Sequence, residues 1–280
     1  HSPSYGRFWL SVEQHPGDTI SCTQAEAMVR AAEAKPGLRP WRRTDLLGQR
    51  IHRLEYECQK FQEQELRSQS ALEEAQARLA KVQQELPETH QVLLQLEAEY
   101  QERKRRERSY SALAKARQRV KMLERRQERR AQQLLMLEKR LRHRQRQVFT
   151  LQAQIRRLSN RLETFETENR ANPFPIQADF RLDAGFGTRE NVAFLIEMGY
   201  EVYTKPAGDW LTPRLKRRGC SLSSWTRVGD NAEMLAWRNE RFPDFPYPLD
   251  VALERFYTGK TIRHSTLLHF GNDPVATDLP

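Results

Sequence analysis

The sequence predicts an α/β body interrupted by a long antiparallel coiled-coil hairpin. Three observations predict it. Breaker residues nearly vanish from one half of the chain. Apolar residues there recur every 3.5 positions. The flanking sequence alternates strand-like and helix-like segments around glycine turns.

The chain has 280 residues and a formal net charge of +10, from 47 Lys+Arg against 37 Asp+Glu. Charged residues make up 30% and hydrophobic residues 38%, with a mean hydropathy of -0.83. That balance argues against one conventional globule with a single continuous core. No run of about 18 apolar residues occurs, so no membrane span is expected. The start, His1-Ser2-Pro3-Ser4-Tyr5, has no basic stretch leading into an apolar one, so no secretory signal is expected. Without an initiator Met, the chain reads as an internal fragment or a processed product. Cys22, Cys58 and Cys220 are odd in number and far apart, with no CxxC pair. Reduced thiols, a cytoplasmic location and no cysteine-based zinc site are the expectation.

The charge is localised. Between Arg42 and Arg170 the chain holds 30 Lys+Arg and 19 Asp+Glu, a net +11, while the remainder is near neutral. The same segment contains one glycine, Gly48, and one proline, Pro87. Steps of 4 and 3 from Leu47 reach Tyr100 in sixteen positions, thirteen of them apolar; the exceptions are Glu65, Ser68 and Thr89. A second frame runs from Leu113 to Phe165, again with thirteen apolar positions of sixteen. A 3.5-residue period held this long is a coiled-coil signal. Each arm would be roughly 90 Å long at 1.5 Å per residue.

Two equal, consecutive arms predict an antiparallel hairpin that pairs Leu47 with Phe165 and Tyr100 with Leu113. The turn falls at Glu107-Arg108-Ser109-Tyr110-Ser111, with Ser111 as N-cap of the second helix. Arm one is net -4 and arm two is net +15, so the arms attract. Each exposed pair contributes under about 1 kcal/mol. This register sets the polar residues Glu65 and Ser68 near Arg144, a layer that can fix alignment at some cost in stability. Pro87 leaves the heptad phase intact, so a kink is expected there and no domain boundary.

A basic arm can be simply a solvated face, or it can contact nucleic-acid phosphate. Its tip, Arg103-Lys104-Arg105-Arg106-Glu107-Arg108, favours phosphate, with five cations in six residues.

The expected division is 1–41 as the first part of the body, 42–171 as the hairpin, and 172–280 as the second part. Tyr5 to Val12 reads as a strand, His15-Pro16-Gly17-Asp18 as a turn, and Thr19 to Cys22 as a short strand. Gln24 to Ala34 reads as a helix capped by Thr23 and ended by Lys35-Pro36-Gly37. After the hairpin, Asn172 to Pro175 is a linker and Ile176 to Asp183 a strand. Ala184-Gly185-Phe186-Gly187 is a turn, Thr188 caps a helix from Arg189 to Met198, and Gly199 stops it. Tyr200 to Lys205 is the next strand, expected parallel to the previous one. Ala232 to Trp237 and Leu249 to Phe256 read as strands. The latter forms a hairpin with Thr261 to His269 through Tyr257-Thr258-Gly259-Lys260. An antiparallel hairpin brings its own ends together, so a body split in this way can still close.

In a parallel α/β unit, ligands gather at the carboxyl ends of strands. Asp183 sits at such an end. Read alone, it is either a metal-binding carboxylate or a turn cap. The longer string is more specific. Phe180-Arg181-Leu182-Asp183-Ala184-Gly185-Phe186-Gly187, a helix, then Gly199-Tyr200-Glu201-Val202-Tyr203-Thr204-Lys205 resembles the middle of a bacterial insertion-sequence transposase of the DDE type. His15-Pro16-Gly17-Asp18-Thr19-Ile20-Ser21 is similar to the strand–turn–strand that precedes it in that family. The resemblance covers about 40 residues strongly and most of the rest outside the hairpin loosely. It implies an RNase H-like fold, interrupted here by the hairpin, with Asp183 as the second of three catalytic and metal-binding carboxylates.

The resemblance further implies Mg²⁺ or Mn²⁺ as cofactor, two-metal DNA strand cleavage and strand transfer, and double-stranded DNA at transposon ends as partner. A homodimer and association with the bacterial nucleoid are expected with it. Arg181, Arg189 and Lys205 flank Asp183, where they either touch DNA phosphate or are solvated charges. They join Arg103, Lys104, Arg105, Arg106 and Arg108 as candidate DNA contacts. The first Asp and the third carboxylate of the triad find no match in this chain, and Glu254, in a predicted strand, is not assigned. The resemblance therefore implies a chain inactive by itself.

Two other readings stand beside this one. A non-enzymatic coiled-coil adaptor, structural or nucleic-acid-binding, would bind no Mg²⁺. An RNase H-like nuclease would use Asp179 or Glu201 beside Asp183. Asp179 lies roughly 13 Å from Asp183 along a regular strand at about 3.3 Å per residue, too far to share one metal.

Overall fold

The computed structural model describes residues 21–103, 110–182, 185–208, 210–220, 222, 224–259 and 261–271. It combines a long helical region with a mixed six-stranded sheet. The predicted strand from Tyr5 to Val12 lies outside the described residues. Ser21–Gln24 forms a 3-10 turn, so the end of the expected second strand is helical instead. The turn leads directly into α1, Ala25–Ala34. Gln24, one residue after the expected cap Thr23, stands at the N-cap of α1 without a side-chain cap bond.

Two compact units emerge, His52–Arg157 and the combination of His1–Ile51 with Leu158–Pro280. Among the described residues, the first unit holds α2, Thr44–Glu102, from His52 onward, and α3, Tyr110–Arg170, as far as Arg157. Helix α2 continues through Pro87 without ending. Helix α3 begins one residue before Ser111, the expected cap. Inside the unit, Arg117 pairs with Glu97 at 2.9 Å and His90 lies 3.5 Å from Glu124. Arg130 donates to the Arg78 carbonyl. Partner numbers rise along one helix as they fall along the other.

Seam residues Cys58, Ala75, Val82, Val120, Leu123 and Val148 are buried, as the heptad predicts. The polar layer is different. The Arg144 guanidinium stacks 5.5 Å from the Phe61 ring centre and bonds Gln147, while Ser68 turns back to the Gln64 carbonyl. A planar cation over an aromatic face retains favourable electrostatics without a carboxylate partner.

The second unit holds the sheet, in the order β1-β2-β6-β5-β4-β3. Strand β1 is Asp179–Leu182, shorter than predicted, and β2 is Glu201–Thr204. They pair in parallel, Asp179 opposite Glu201 through Leu182 opposite Thr204. Between them runs α4, Arg189–Glu197. Thr188 caps it by accepting from the Asn191 N–H at 3.2 Å, and Gly199 ends it at φ +91.

Every later strand pairing is antiparallel. Strands β3 (Thr226–Gly229), β4 (Ala232–Glu240), β5 (Leu249–Thr258) and β6 (Thr261–Phe270) form a meander, and β6 returns to β2. The β5–β6 hairpin turns where predicted, with Gly259 at φ +60. Helix α5, Thr212–Gly219, and strand β3 have no counterpart among the predicted elements.

Helix α4 packs on β2, and α5 on β5 and β6. Val192, Leu195, Leu211, Leu215, Leu253 and Leu268 are buried there. Gly219 allows the close approach: a Cβ would come 3.2 Å from Leu235 and 3.3 Å from Leu253.

Two carboxylates lock this unit from within. Glu197 of α4 is fully buried and accepts from Arg50, from Arg161 at 3.1 Å and from the Tyr247 hydroxyl at 2.8 Å. Burial and this carboxylate together push the Tyr247 hydroxyl far up. Glu33 of α1 takes both terminal nitrogens of buried Arg42 and the Tyr200 hydroxyl. A buried charge is tolerated only when its hydrogen-bonding capacity is met, and both sites meet it.

Candidate functional site

Asp183, the residue expected to be catalytic and to bind metal, lies outside the described residues, as do Lys104, Arg105, Arg106 and Arg108 of the tip. The residues on either side of 183–184 are described. Beyond β1, the turn at 185–187 is pinned to the exit of β2. The Ala207 N–H donates to the Gly187 carbonyl at 2.8 Å, and a Cβ on Gly187 would stand 1.9 Å from the Lys205 carbonyl oxygen. Only glycine fits that approach. The Asn191 side-chain amide donates to the Phe186 carbonyl at 3.2 Å, tying the turn to α4 as well. So the turn at 185–187 is held from two sides.

The flanking cations are placed differently from one another. Arg181 is exposed on β1, its guanidinium 5.6 Å from the Tyr203 ring. Lys205 is exposed just past β2. It follows Thr204, the partner of Leu182, so Arg181 and Lys205 belong to neighbouring strand ends. Arg189 lies 3.6 Å from Asp244 and 5.8 Å from the Trp210 ring, partly neutralised. Arg103, at the end of α2, pairs with Glu99 at 3.2 Å.

Asp179 and Glu201 are direct register partners across the parallel pair. No group of three or more His, Cys, Asp or Glu side chains among the described residues is arranged to hold a metal ion.

One feature went unread in the sequence. A row crosses four strands: Arg181, Tyr203, His269 and Asp250 are successive register partners. Alternation along the strands puts this row on the face opposite buried Val202 and Leu268. The His269 ring stacks 4.2 Å from Tyr203, and its Nδ1 lies 3.8 Å from Asp250. His269 is 6% exposed, and neither ring nitrogen has a hydrogen-bond partner. A Cβ on Gly271 would come 2.5 Å from His269 Nε2 and 3.1 Å from the Glu201 carboxyl carbon. A lone His in a predicted strand carries no sign of this; only the cross-strand register assembles it.

Among the described residues, no helix is long and apolar enough to cross a membrane. Cys58 is a buried free thiol, pushed up by burial, and Cys220 an exposed one. Comparison with protein-family models, curated proteins and solved structures finds no match to this chain.

Proposed function

We propose that this chain belongs to a DDE-type DNA transposase, a protein that cuts and joins DNA strands with divalent metal, and that Asp183 is its second catalytic carboxylate. The observation that carries this reading is the parallel β1–α4–β2 unit. Asp183 follows Leu182, the last residue of β1, and the turn after it is clamped against residues 205–207. Strand carboxyl ends of this kind are where α/β sheets collect ligands. The finer architecture belongs to the same proposal: an RNase H-like sheet, with α2 and α3 as an antiparallel coiled-coil insertion. Double-stranded DNA is the partner, Mg²⁺ or Mn²⁺ the cofactor, and a homodimer the working form. Asp183 is the one triad member matched in this chain, so cleavage by this chain alone is not part of the proposal.

Paramagnetic broadening tests it. Mn²⁺ should broaden amide NMR signals around residues 181–187, and Asp183→Asn should abolish the effect. Identical broadening in the parent and the variant, or none at millimolar Mn²⁺, sinks the catalytic assignment. A second reading, a non-enzymatic nucleic-acid-binding adaptor, is favoured by the cation content of α3. It predicts DNA binding with no Mn²⁺ effect near residue 183.

A further inference from the structure

The cations of α3 are not distributed evenly around the helix. Val120 and Leu123 are buried seam positions and fix the heptad phase. Five columns then face away from the seam. Two of them, through Arg117 and Lys121, hold all three acids of the stretch from Lys115 to Arg146: Glu124, Glu128 and Glu138. Cations on that side are partly compensated. Arg117 pairs with Glu97 and Arg142 with Glu138, at 2.9 and 3.4 Å.

The other three columns are contiguous around the helix, and over the same stretch they contain no Asp or Glu. One column carries Arg125, Lys139 and Arg146. The next carries Lys115 and Arg129, interleaved with Met122 and Met136. The third carries Arg119, Arg126 and Arg140. All eight cations are exposed. None of the eight is ion-paired to a carboxylate among the described residues. Helix propensity would be served as well by Glu as by Arg at these positions. Intrahelical Glu–Lys pairing, the usual stabiliser of an exposed face, is forgone on this side alone.

We infer that this acid-free face of α3 is a binding surface for the phosphate backbone of duplex DNA, distinct from the cation cluster at the tip. The stretch from Lys115 to Arg146 is about 46 Å long at 1.5 Å per residue. That exceeds one turn of B-DNA, roughly 34 Å. Cations on a rigid rod need no base readout, so the contact is independent of sequence. The inference shares with the proposed function only its DNA partner; it makes no use of Asp183.

Two variants of equal charge test it. The first is Arg125→Gln, Arg129→Gln and Arg140→Gln together, on the acid-free face. The second is Arg117→Gln, Lys121→Gln and Arg142→Gln together, on the acid-bearing side. Binding of a 30-base-pair duplex of arbitrary sequence is followed against salt. The first triple should flatten the log–log slope by about 2 to 3, since each lost phosphate contact removes about 0.9. It should weaken binding about tenfold or more at 0.15 M salt, and the second triple should change the slope by less than about 1.

Equal losses in the two triples, an unchanged slope in the first, or no duplex binding by the parent overturns the inference. Poly-glutamate binding as tightly as duplex at the same salt also overturns it, in favour of an acidic protein. Circular dichroism checks that the variants keep their helices. If either unfolds, phenylglyoxal footprinting of the unaltered chain decides instead: duplex should protect Arg125, Arg129 and Arg140 and leave Arg142 reactive. Salt-dependent duplex binding and Mn²⁺ broadening around residues 181–187 are independent readouts, so failure here and failure of the catalytic assignment are separable.

Discussion

Arg42 grips Glu33 with both terminal nitrogens of its guanidinium, at 2.7 and 2.5 Å, and is only 1% exposed. Its Nε reaches Glu168 at 2.6 Å, and one terminal nitrogen also donates to the Met198 carbonyl at 3.0 Å. Burial alone would lower the Arg42 pKa, but Glu33 and Glu168 raise it. One side chain thereby joins α1, the last turn of α3 and the end of α4.

Replacing Arg42 by Met should therefore be severe. It leaves the half-buried carboxylates of Glu33 and Glu168 without their main cation. Removing one partner of a buried pair costs about 3–5 kcal/mol. Urea denaturation should show that loss, whereas a loss under about 1 kcal/mol would mean that water or Arg30 replaces the guanidinium.

The same cluster sets a pH dependence. Burial opposes the charge on Glu168, but Arg30 at 2.7 Å and Arg42 outweigh it and hold the carboxyl below its ordinary value of 4.5. A carboxyl whose folded pKa is depressed contributes stability above its unfolded pKa and loses it as pH falls through the folded one. Stability should thus be level in this respect above about pH 5 and decline below about pH 4.5. Glu168→Gln should start less stable and decline less between those limits and pH 3. Parallel melting curves for parent and variant across that range would remove Glu168 from the account.

Gly187→Ala should disturb the segment beside residue 183. Its Cβ would stand 1.9 Å from the Lys205 carbonyl oxygen, and that neighbour is backbone. Overpacking of this kind costs about 1–3 kcal/mol. Amide shifts of residues 205–207 should move with the loss, and a variant with native shifts there and native stability contradicts the clamp.

The tip has its own test. Arg103, Lys104, Arg105 and Arg106 changed together to Gln should weaken duplex binding and flatten its salt slope. An unchanged slope reassigns the tip to solvation or protein contact.

Long-period features were legible in the sequence, and irregular ones were not. The seam from Leu47 to Phe165 repeats often enough for every turn to confirm the last, and α2 and α3 follow it. Thr188 and Gly199 marked the ends of α4 because each meets a specific backbone need. Helix α5 escaped because Pro213 and the cations Arg214, Lys216, Arg217 and Arg218 look like a loop. Its helicity comes from burying Leu215 under the sheet, a tertiary effect. Strand β3 is exposed throughout and exists only by pairing with β4. At the candidate site, the Asp183 string was readable as a motif. His269 and Arg42 were not, since their roles arise from partners far away in sequence.

Asn169 and Arg42 stand 127 positions apart, yet they form a two-way rung. The Asn169 side chain accepts from the Arg42 N–H at 2.8 Å and donates to the Arg42 carbonyl at 3.0 Å. The long helical excursion thus leaves and rejoins the body through a single closed gate. Loop-closure entropy for whatever lies beyond that gate is met by a contact that does not depend on its length. The excursion is then a cassette. Equal numbers of residues removed from α2 and α3, or added to them, would leave this rung unchanged.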